Sequence, residues 1–494
     1  MLGFTDALKR EGYQQSAEDR VWVRPGYSSI SYSDGDATEE RLSEVIRLAK
    51  DRSVLSAELR LAAYDWPSTY HLSPTRANIL RPFEGGLDGK QVLEIGSGCG
   101  AITRFLGESG ARVLALEGSR RRASITRVRT SDLVNVEVMS ETFNHFNTNL
   151  RFDVITLIGV LEYAPVFVES HDPVATMLEK VRSLLKPSGQ LIVAIENQLG
   201  LKYLAGAPED HLGLVRYGVE DRYIERDPRT FGRMALSQRL NDSGFDRQTF
   251  LYPFPDYKFP AVILSETGLD AEGFDSSMLA AQVVKRDPQL RPPMGLTMER
   301  VWPVLGANGL LADLSNSFLI VAGAQRDPHA SHDLDPDLLA VHYSCDRRPE
   351  FCKETVFLQS EAGVKVRSRL LSKNSASTGF ISHQVDGLSP YWHGTALSSR
   401  MVDRLTRDGW CFEAIASDFR EFVHAVEVLT GIPLVEGGAL LVKTQVPGRY
   451  LDLVPQNIIQ KREGQFHAID QEWTLNQPLD LDYLIFRGIT TLLG

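Results

Sequence analysis

The chain has 494 residues, 43% of them hydrophobic and 24% charged, which is typical of a globular protein with two or three domains. A formal net charge of -11 argues against binding to nucleic acid or to an anionic membrane by charge alone. The first fifteen residues are too charged for a signal peptide, and the apolar run at 318–324 is too short to span a bilayer. We therefore expect a cytoplasmic protein with no direct membrane span, whose contact with the inner membrane would come only through partners.

The four cysteines are scattered, and no two form the C-x-x-C pair of a structural zinc site. We expect reduced thiols, as in most cytosolic proteins. A disulfide between Cys345 and Cys352 across a hairpin is the alternative.

The N-terminal part of the chain is predicted to be helical. Apolar residues recur at helical spacing from Leu42 to Leu61, and a short helix is expected at 74–80. We assign residues 1–64 to an N-terminal helical and lid segment, and we expect 70–83 to continue the lid over a ligand site.

The next part of the chain alternates short apolar runs with amphipathic segments. Patterns typical of buried strands lie at 91–96, 111–118, 134–140, 152–160 and 190–197. The intervening segments have helical patterns, and this βαβ rhythm predicts an α/β fold with helices on both faces of a parallel sheet. Two further strands around a proline-rich turn at 244–265 would add an antiparallel hairpin edge.

A domain boundary is predicted at 283–295, where proline and charged residues cluster. The first large domain then covers 65–284 and a second covers 296–494. In the second domain the pattern changes to antiparallel strands with a tight turn at 361–363, followed by a helix at 412–431 that a glycine ends. The second domain is therefore expected to be α+β.

The strongest motif is VLEIGSGCGAITRFL, in which Gly96, Gly98 and Gly100 alternate between a strand and a helix. Glycine is needed where the backbone takes a positive φ or where a ligand approaches closely, and the helix N-terminus offers free N–H donors. The spacing differs from the G-x-G-x-x-G of nicotinamide enzymes, so it does not indicate a pyrophosphate site. Glu117 ends the second strand, where its carboxylate can bind both hydroxyls of a ribose.

These residues resemble the class I S-adenosylmethionine-dependent methyltransferases over about 65–270. In that family the glycine loop lies beneath the amino-acid part of the cofactor, and the loop after the fourth strand lines the methyl-transfer site. The resemblance implies a Rossmann-like methyltransferase sheet and S-adenosyl-L-methionine as cofactor. The cofactor-binding residues that it implies are Glu94, Gly96, Ser97, Gly98, Gly100, Glu117, Gly118, Thr142, Phe143 and Ile158. Arg76 is a candidate partner for the cofactor carboxylate, with a capping or surface role as the alternative.

An O-methyltransferase benefits from a general base because an aliphatic hydroxyl has a very high pKa. The candidate catalytic residues are His211, Glu162 and Glu196, with His211 as the first choice for the base, although a lone loop histidine is more often a surface or hydrogen-bonding residue. The candidates for contact with the acceptor are Tyr70, His71, Tyr163, Asn197 and Asp210. The sequence does not determine whether methyl transfer needs a metal, and we assign no metal ligand among these residues.

A run of arginines follows the second strand. Its members are Arg120, Arg121, Arg122, Arg127 and Arg129. We expect a solvated helix face, with a phosphate-binding patch as the alternative.

Three longer stretches narrow the resemblance. DWPSTYHLSPTRANILRP, IENQLGLKYLAGAPEDH and YPFPDYKFP are similar to methyltransferases of bacterial surface-polysaccharide gene clusters. This resemblance implies an O-methyltransferase acting on a sugar hydroxyl of an O-antigen or related glycan, with a glycan or lipid-linked sugar as substrate and a glycosyltransferase as partner. The alternatives are a bifunctional methyltransferase–kinase that acts on the terminal sugar, and a small-metabolite methyltransferase with a non-catalytic, partner-binding tail.

The tail carries a second motif, YLDLVPQNIIQKREGQFHAIDQEW. Asp452 and Asn457 have the D-L-x-x-x-N spacing of a kinase catalytic loop, and Asp470 lies where a metal-binding aspartate would follow. IDQEW is similar to the small-molecule kinases of choline and aminoglycosides, in which Glu472 would also approach the metal.

The kinase pattern is incomplete. No G-x-G-x-x-G loop precedes the motif, and Arg367 stands at the position of the phosphate-binding lysine, with Lys353 or Lys365 as substitutes. Three interpretations stay open: a kinase-related fold used for binding, which we favour, an active kinase that takes Mg-ATP, and a coincidental motif. Asn457 and Asp470 are predicted metal ligands only if the site is active.

Overall fold

The computed structural model describes residues 4–290, 293–323, 334–372, 379–385, 387–441 and 443–493. The chain divides into two compact units. The first comprises Met1–Ala271 and Ser276–Pro349, and the second comprises Glu272–Asp275 and Glu350–Gly494. The division near residue 349 differs from the boundary that we predicted at 283–295.

The strands of the first unit are β1 (Gln14–Gln15), β2 (Trp22–Val23), β3 (Gln91–Ile95), β4 (Arg112–Glu117), β5 (Val136–Ser140), β6 (Phe152–Ile158), β7 (Leu185–Glu196), β8 (Arg247–Phe254), β9 (Val262–Ser265), β10 (Ser317–Gly323) and β11 (Leu338–Ser344). Its helices are α1 (Phe4–Arg10), α2 (Asp36–Leu48), α3 (Ala57–Leu61), α4 (Trp66–Leu72), α5 (Ala101–Glu108), α6 (Arg120–Arg129), α7 (Ala164–Phe167), α8 (Pro173–Leu184), α9 (Leu201–Leu204), α10 (Arg233–Asp242), α11 (Glu266–Asp270), α12 (Ser276–Gln282), α13 (Met298–Ala307) and α14 (Leu311–Leu314). Short 3-10 helices lie at Pro74–Ile79, Arg81–Gly86, Leu161–Tyr163 and Val284–Arg286.

The first unit is built on one sheet with the strand order β1-β2-β5-β4-β3-β6-β7-β10-β8-β9-β11. Strands β5, β4, β3, β6 and β7 pair in parallel. Their apolar runs are buried because helices cover both faces of such a sheet. The predicted Rossmann-like α/β sheet with an antiparallel edge is therefore confirmed.

Strand β10 explains the shifted boundary. It lies antiparallel between β7 and β8, with Ser317 opposite Glu196 and Leu319 opposite Leu251. Strand β11 then pairs with β9. Both strands follow the predicted boundary in sequence, yet their buried apolar residues complete the first sheet, so the residues up to 349 belong to the first unit.

Helix α6 corrects the interpretation of the arginine run. Arg122, Arg127 and Arg129 are buried, so the prediction of a solvated face is wrong for these three. Arg122 pairs with Glu39 and Asp34 of the N-terminal segment, at 2.7 Å each. The guanidinium groups of Arg122, Arg127 and Arg129 donate hydrogen bonds to acceptors inside the protein. They therefore form no basic face toward solvent at these three positions.

The second unit is α+β, as expected. Its strands are β12 (Lys353–Leu358), β13 (Lys365–Leu370), β14 (Ile381–His383), β15 (Ser389–Pro390), β16 (Thr395–Ala396), β17 (Val435–Glu436), β18 (Ala439–Leu440), β19 (Gln445–Val446), β20 (Ile458–Gln460), β21 (Phe466–Ala468), β22 (Trp473–Leu475) and β23 (Leu479–Asp480). Its helices are α15 (Leu397–Leu405), α16 (Phe412–Thr430) and α17 (Leu481–Leu493), with 3-10 turns at Gly448–Tyr450 and Pro455–Asn457.

Two predicted details of the second unit are present. Strands β12 and β13 pair antiparallel across the tight turn at 361–363, and α16 ends at Gly431, whose φ of 71° is left-handed. Phe422 and Val426 of α16 pack in a buried apolar cluster with Leu453 and Leu484. The kinase-like character of this unit stays a prediction.

Two general expectations can be checked on the described residues. The four cysteines lie within the described residues, and each is a reduced thiol rather than half of a disulfide. Among the residues that the structure describes, no helix combines the length and the apolar content that crossing a bilayer requires.

Candidate functional site

A cavity of about 390 Å³ opens where the carboxyl ends of β3, β4, β6 and β7 meet. This edge of a parallel sheet is where ligands bind in open α/β folds. Most of the predicted site residues line the cavity: Tyr70, His71, Arg76, Glu94, Gly96, Ser97, Gly98, Glu117, Gly118, Thr142, Phe143, Ile158, Glu162, Tyr163, Glu196, Asp210 and His211.

The glycine loop forms the floor of one end of the cavity. Gly96, Gly98 and Gly100 have φ values of 77°, 53° and 80°, a left-handed region that disfavours side chains. A Cβ on Gly96 would lie 2.6 Å from Val160 Cγ2. Gly100 precedes α5 and sets the start of that helix against Thr126. The N–H groups of Gly96 and Ser97 donate to the Leu116 carbonyl, and that of Gly100 donates to the Ser97 carbonyl, so hydrogen bonds within the protein hold the loop in this tight turn.

Two glutamates flank this loop. Glu117 accepts hydrogen bonds from the backbone N–H groups of Gly98 and Ser119, at 2.8 Å each, so its carboxylate is held against the loop. Burial raises the pKa of Glu117. Glu94 accepts a hydrogen bond from the Thr103 hydroxyl at 2.5 Å, and burial raises its pKa to about 7. Both glutamates therefore line the cavity beside the glycine loop, and their role in binding the cofactor stays a prediction.

The lid segment contributes two side chains to the same end of the cavity. Arg76 stacks over Tyr70 at 4.2 Å and donates to the Lys258 carbonyl at 2.8 Å. Its buried Nε has no hydrogen-bond partner among the described residues. His71 binds Asp34 at 2.8 Å and lies beside Gly98, so it faces the glycine loop rather than the acceptor end where we predicted it.

The acceptor end of the cavity contains the three predicted catalytic residues. Glu162 follows β6, Glu196 ends β7, and His211 lies in the loop after α9. His211 Nε2 is 3.6 Å from Glu162 Oε1 and 3.9 Å from Glu196 Oε2. The Tyr163 ring packs edge-on against the imidazole at 5.1 Å. The structure therefore brings together side chains that are far apart in the sequence.

Sequence reasoning missed Glu209, the carboxylate that holds His211. Glu209 Oε1 is 2.7 Å from His211 Nδ1, and Glu209 Oε2 accepts the backbone N–H groups of His211 and Leu212. Burial alone lowers the pKa of His211, but the carboxylates of Glu196, Glu162 and Glu209 raise it well above its ordinary value. As an acidic residue two positions before the candidate base, Glu209 could have been found from the sequence.

A buried ionic network lies behind this cluster, and it corrects the interpretation of Asp210. Lys258 Nζ is 2.6 Å from Glu196 Oε1 and 3.1 Å from Asp210 Oδ2. Lys202 pairs with Asp210 at 3.0 Å and with Asp256 at 2.8 Å. The two lysines lower the pKa of Asp210, against the effect of its burial. Asp210 is thus the counter-ion of two buried lysines.

Asn197 is also placed differently from the prediction. Its amide nitrogen donates to the carbonyls of Asp313 and Ser315, at 2.8 and 2.7 Å. Its side-chain oxygen accepts the Leu199 N–H. Because every polar atom of this buried side chain is used internally, Asn197 fixes the turn after β7 and is not available to an acceptor.

The predicted kinase-like residues lie in the second unit. Asp452 accepts hydrogen bonds from the Trp473 N–H at 3.0 Å and from Arg487 at 2.8 Å, and burial raises the pKa of Asp452. Asn457 donates to the Asp452 carbonyl at 3.2 Å. Both polar groups of the predicted catalytic loop are therefore engaged within the unit.

A buried lysine approaches the predicted metal aspartate. Lys353 Nζ contacts Asp470 and lies 2.7 Å from Glu472. Of the candidates for the phosphate-binding cation, Lys353 is thus the one beside Asp470, whereas Lys365 and Arg367 are exposed on β13. Asp470 has a φ of 53°, an uncommon left-handed conformation for a residue other than glycine.

Comparison with known proteins identifies the domain that holds the cavity. Residues 93–191 match a family model described as "Methyltransferase domain". This match spans the glycine loop and strands β4 to β6, and it ends within β7. The predicted methyltransferase domain, with S-adenosylmethionine as its cofactor, is thereby confirmed over these residues.

Similar proteins carry related names. The chain is 28% identical over 141 residues to the ubiquinone biosynthesis O-methyltransferase of Histophilus somni, covering 27% of this chain and 56% of that protein. It is 26% identical over 157 residues to the protein of the same name from Pseudoalteromonas translucida, covering 31% of this chain and 64% of that protein. The chain thus spans little more than half the length of the first of these relatives.

A solved structure is similar at lower identity. The CcbJ methyltransferase from Streptomyces caelestis is 16% identical, with a TM-score of 0.32, and the comparison covers 56% of this chain and 99% of that one. The glycan acceptor and the kinase-like tail stay predictions.

Proposed function

We propose that the chain is an S-adenosylmethionine-dependent O-methyltransferase. One observation carries this proposal: a single cavity has the glycine loop and Glu117 at one end and the cluster of Glu162, Glu196 and His211 at the other. Such a cavity would hold the cofactor sulfonium between its binding loop and a group that can take a proton from the acceptor. The relatives named O-methyltransferases support transfer to oxygen.

The proposed chemistry is an in-line displacement. The acceptor oxygen attacks the sulfonium methyl carbon, the carbon–sulfur bond breaks, and the products are a methyl ether and S-adenosylhomocysteine. The hydroxyl proton must leave in the same step or before it. We assign the proton to Glu162, because its Oε2 is buried without a hydrogen-bond partner among the described residues.

The surroundings of Glu162 favour this assignment over His211. Burial and the neighbouring Glu196 carboxylate raise the pKa of Glu162 toward the range of an effective base. The carboxylates of Glu196, Glu162 and Glu209 raise the pKa of His211 well above its ordinary value, against the effect of its burial, and a raised pKa favours the imidazolium over the neutral form that could act as a base. His211 can instead fix the position of Glu162, whose Oε1 lies 3.6 Å from the imidazole nitrogen.

We further propose that the acceptor is a sugar hydroxyl of a bacterial surface glycan, presented as a lipid-linked or nucleotide-linked sugar. The motif resemblance supports this acceptor. The walls at the acceptor end also include Tyr32, Tyr163 and Phe167, whose rings pack edge-on or tilted against one another. The electron-rich faces of aromatic rings suit the C–H faces of a sugar. A glycosyltransferase would be the partner that supplies or extends the chain.

A small metabolite is the second candidate acceptor. The name of the matched relatives, ubiquinone biosynthesis O-methyltransferase, favours it. The aromatic walls of the cavity would accept a small aromatic ring as well as a sugar.

The test is transfer of a labelled methyl group. The purified chain is incubated with methyl-tritiated S-adenosylmethionine and, separately, with nucleotide-linked sugars, lipid-linked oligosaccharides and catechol. We expect the labelled methyl group in a sugar-containing product. Unlabelled S-adenosylhomocysteine should form in an amount equal to that product. Label in catechol alone would support the small-metabolite candidate, and turnover with none of the three classes would contradict the proposal.

For the second unit we propose a binding role without phosphoryl transfer, and this rests on Asp452. A catalytic aspartate must be open to the acceptor hydroxyl, from which it accepts a hydrogen bond. The Asp452 side chain is instead buried, and the Trp473 N–H and Arg487 hold it inside the unit. A bifunctional methyltransferase–kinase is the alternative.

Mg-ATP is therefore expected to leave the melting temperature of the chain unchanged, because a ligand that does not bind the folded state adds no stability. Differential scanning fluorimetry measures the melting temperature with and without Mg-ATP. A concentration of about 5 mM is high enough to detect a weak nucleotide site. The proposal would be contradicted if Mg-ATP raised the melting temperature of the wild type and Asp470→Ala removed this rise. The exposed control, Asp482→Ala, should then keep the rise.

A further inference from the structure

The acceptor end of the cavity has a feature that proton transfer alone does not require. Glu162, Glu196 and His211 each present one ligand atom, and these atoms lie within 4.8 Å of one another. Atoms bound to one metal ion lie about 3 Å apart, so a small rotation of the side chains would bring all three onto a common centre.

Each carboxylate of this cluster has one oxygen without a hydrogen-bond donor among the described residues. Glu162 Oε2 and Glu196 Oε2 are buried and accept no hydrogen bond from any residue that the structure describes. Glu196 Oε1, by contrast, is taken by Lys258 at 2.6 Å and by the Tyr257 hydroxyl at 3.2 Å. Each carboxylate therefore keeps one buried oxygen without a donor, an arrangement that costs free energy unless a cation or a ligand occupies the site.

The imidazole is oriented in the way that metal sites require. Glu209 Oε1 binds His211 Nδ1 at 2.7 Å, and two backbone N–H groups fix Glu209 Oε2. With Nδ1 held by a carboxylate, the other nitrogen, Nε2, points toward Glu162 and Glu196. A carboxylate behind a ligating histidine is the usual outer partner of a protein metal site.

We propose that Glu162, Glu196 and His211 bind a divalent transition-metal cation at the acceptor end of the cavity. One imidazole nitrogen and two carboxylate oxygens suit Mn²⁺ or Zn²⁺ better than Mg²⁺, which prefers oxygen ligands alone. Three protein ligands leave coordination positions open, and these face the cavity.

This inference deepens the proposed function and rests on it for the role of the ion. A cation at this site would bind the acceptor oxygen directly and lower the pKa of its hydroxyl, so that the oxygen attacks as an alkoxide. The proton would pass to the Glu162 oxygen that does not bind the metal. Binding of the metal itself does not depend on methyl transfer and can be tested separately.

The test is a titration of chelator-treated full-length protein with Mn²⁺. The electron paramagnetic resonance signal of free Mn²⁺ measures how much of the ion remains unbound at each step. Zinc content after reconstitution and dialysis is measured by mass spectrometry. We expect a site in the wild-type chain that Glu162→Gln, Glu196→Gln and His211→Gln each weaken at least about 10-fold. The matched controls are Glu179→Gln and His171→Gln, which change exposed residues of the same unit and are expected to bind as the wild type does.

Folding of each variant is checked by its circular dichroism spectrum and its cooperative thermal unfolding, which depend on neither the metal nor the cofactor. The inference would be overturned if the wild-type protein bound neither Mn²⁺ nor Zn²⁺ at a concentration of about 1 mM. A Kd weaker than about 1 mM is too weak to indicate a specific site. Equal binding by folded variants and wild type would also overturn it. Metal binding that the three variants abolish, without methyl transfer to any acceptor, would support the metal site and contradict only the proposed function.

Discussion

Replacing Glu117 by alanine is expected to raise the Kd for S-adenosylmethionine by about 100-fold or more. Two charge-assisted hydrogen bonds to ribose hydroxyls contribute about 1.5–3 kcal/mol each, and 100-fold corresponds to about 2.7 kcal/mol. The substitution also removes the acceptor that holds the backbone N–H groups of Gly98 and Ser119, at 2.8 Å each. Isothermal titration calorimetry of variant and wild type measures the difference.

The control for this substitution is Glu179→Ala, an exposed glutamate on α8. It changes the same side chain and net charge at a distance from the cavity, so its Kd should equal that of the wild type. If Glu117→Ala binds the cofactor within threefold of the wild type, a range of about 0.7 kcal/mol, the position assigned to the ribose is wrong.

Replacing Glu162 by glutamine is expected to lower kcat by about 10²–10⁴-fold, the usual contribution of a positioned general base. Glutamine keeps the shape of the side chain but cannot accept a proton. The Kd for S-adenosylmethionine should stay close to the wild-type value, because the cofactor loop lies at the other end of the cavity. Initial rates with the acceptor that takes the label in the transfer assay measure kcat.

Glu220→Gln is the matched control, since Glu220 is an exposed residue that pairs with Arg222 on the surface of the same unit. Its kcat should be unchanged. A Glu162→Gln enzyme that keeps at least a third of the wild-type kcat, a loss of about 0.7 kcal/mol, would rule out Glu162 as the base.

The sequence was sufficient for the central sheet and for the position of the glycine loop. Continuous apolar runs identify strands that are buried on both faces, and the glycine spacing identifies the turn after β3 because its left-handed φ values need glycine. Both features depend on residues that lie within a few positions of each other, so the sequence alone is enough to predict them.

The remaining features depend on contacts between distant residues. The run at 317–323 was recognisable as apolar, but its position between β7 and β8 depends on strands 60 or more residues away. The same holds for Arg122, which is buried because Glu39 and Asp34 pair with it. A charged residue looks solvated in a sequence until the partner that neutralises it is known.

The acceptor end shows the same limit. Glu162, Glu196 and His211 were candidates by their positions after strands, yet the sequence ranked His211 first as a base. Only the fold shows that three carboxylates surround the imidazole and raise its pKa. Asp210 likewise became a counter-ion once Lys202 and Lys258 were found beside it.

Equilibrium dialysis of the wild-type chain against radiolabelled S-adenosylmethionine tests the central claim most directly. The account predicts saturable binding of one cofactor per chain, displaced by unlabelled S-adenosylhomocysteine, because a single cavity holds the glycine loop and Glu117. The absence of bound label at a cofactor concentration of about 1 mM would contradict the prediction that the chain binds S-adenosylmethionine. A Kd above about 1 mM would be too weak to be meaningful for a cofactor.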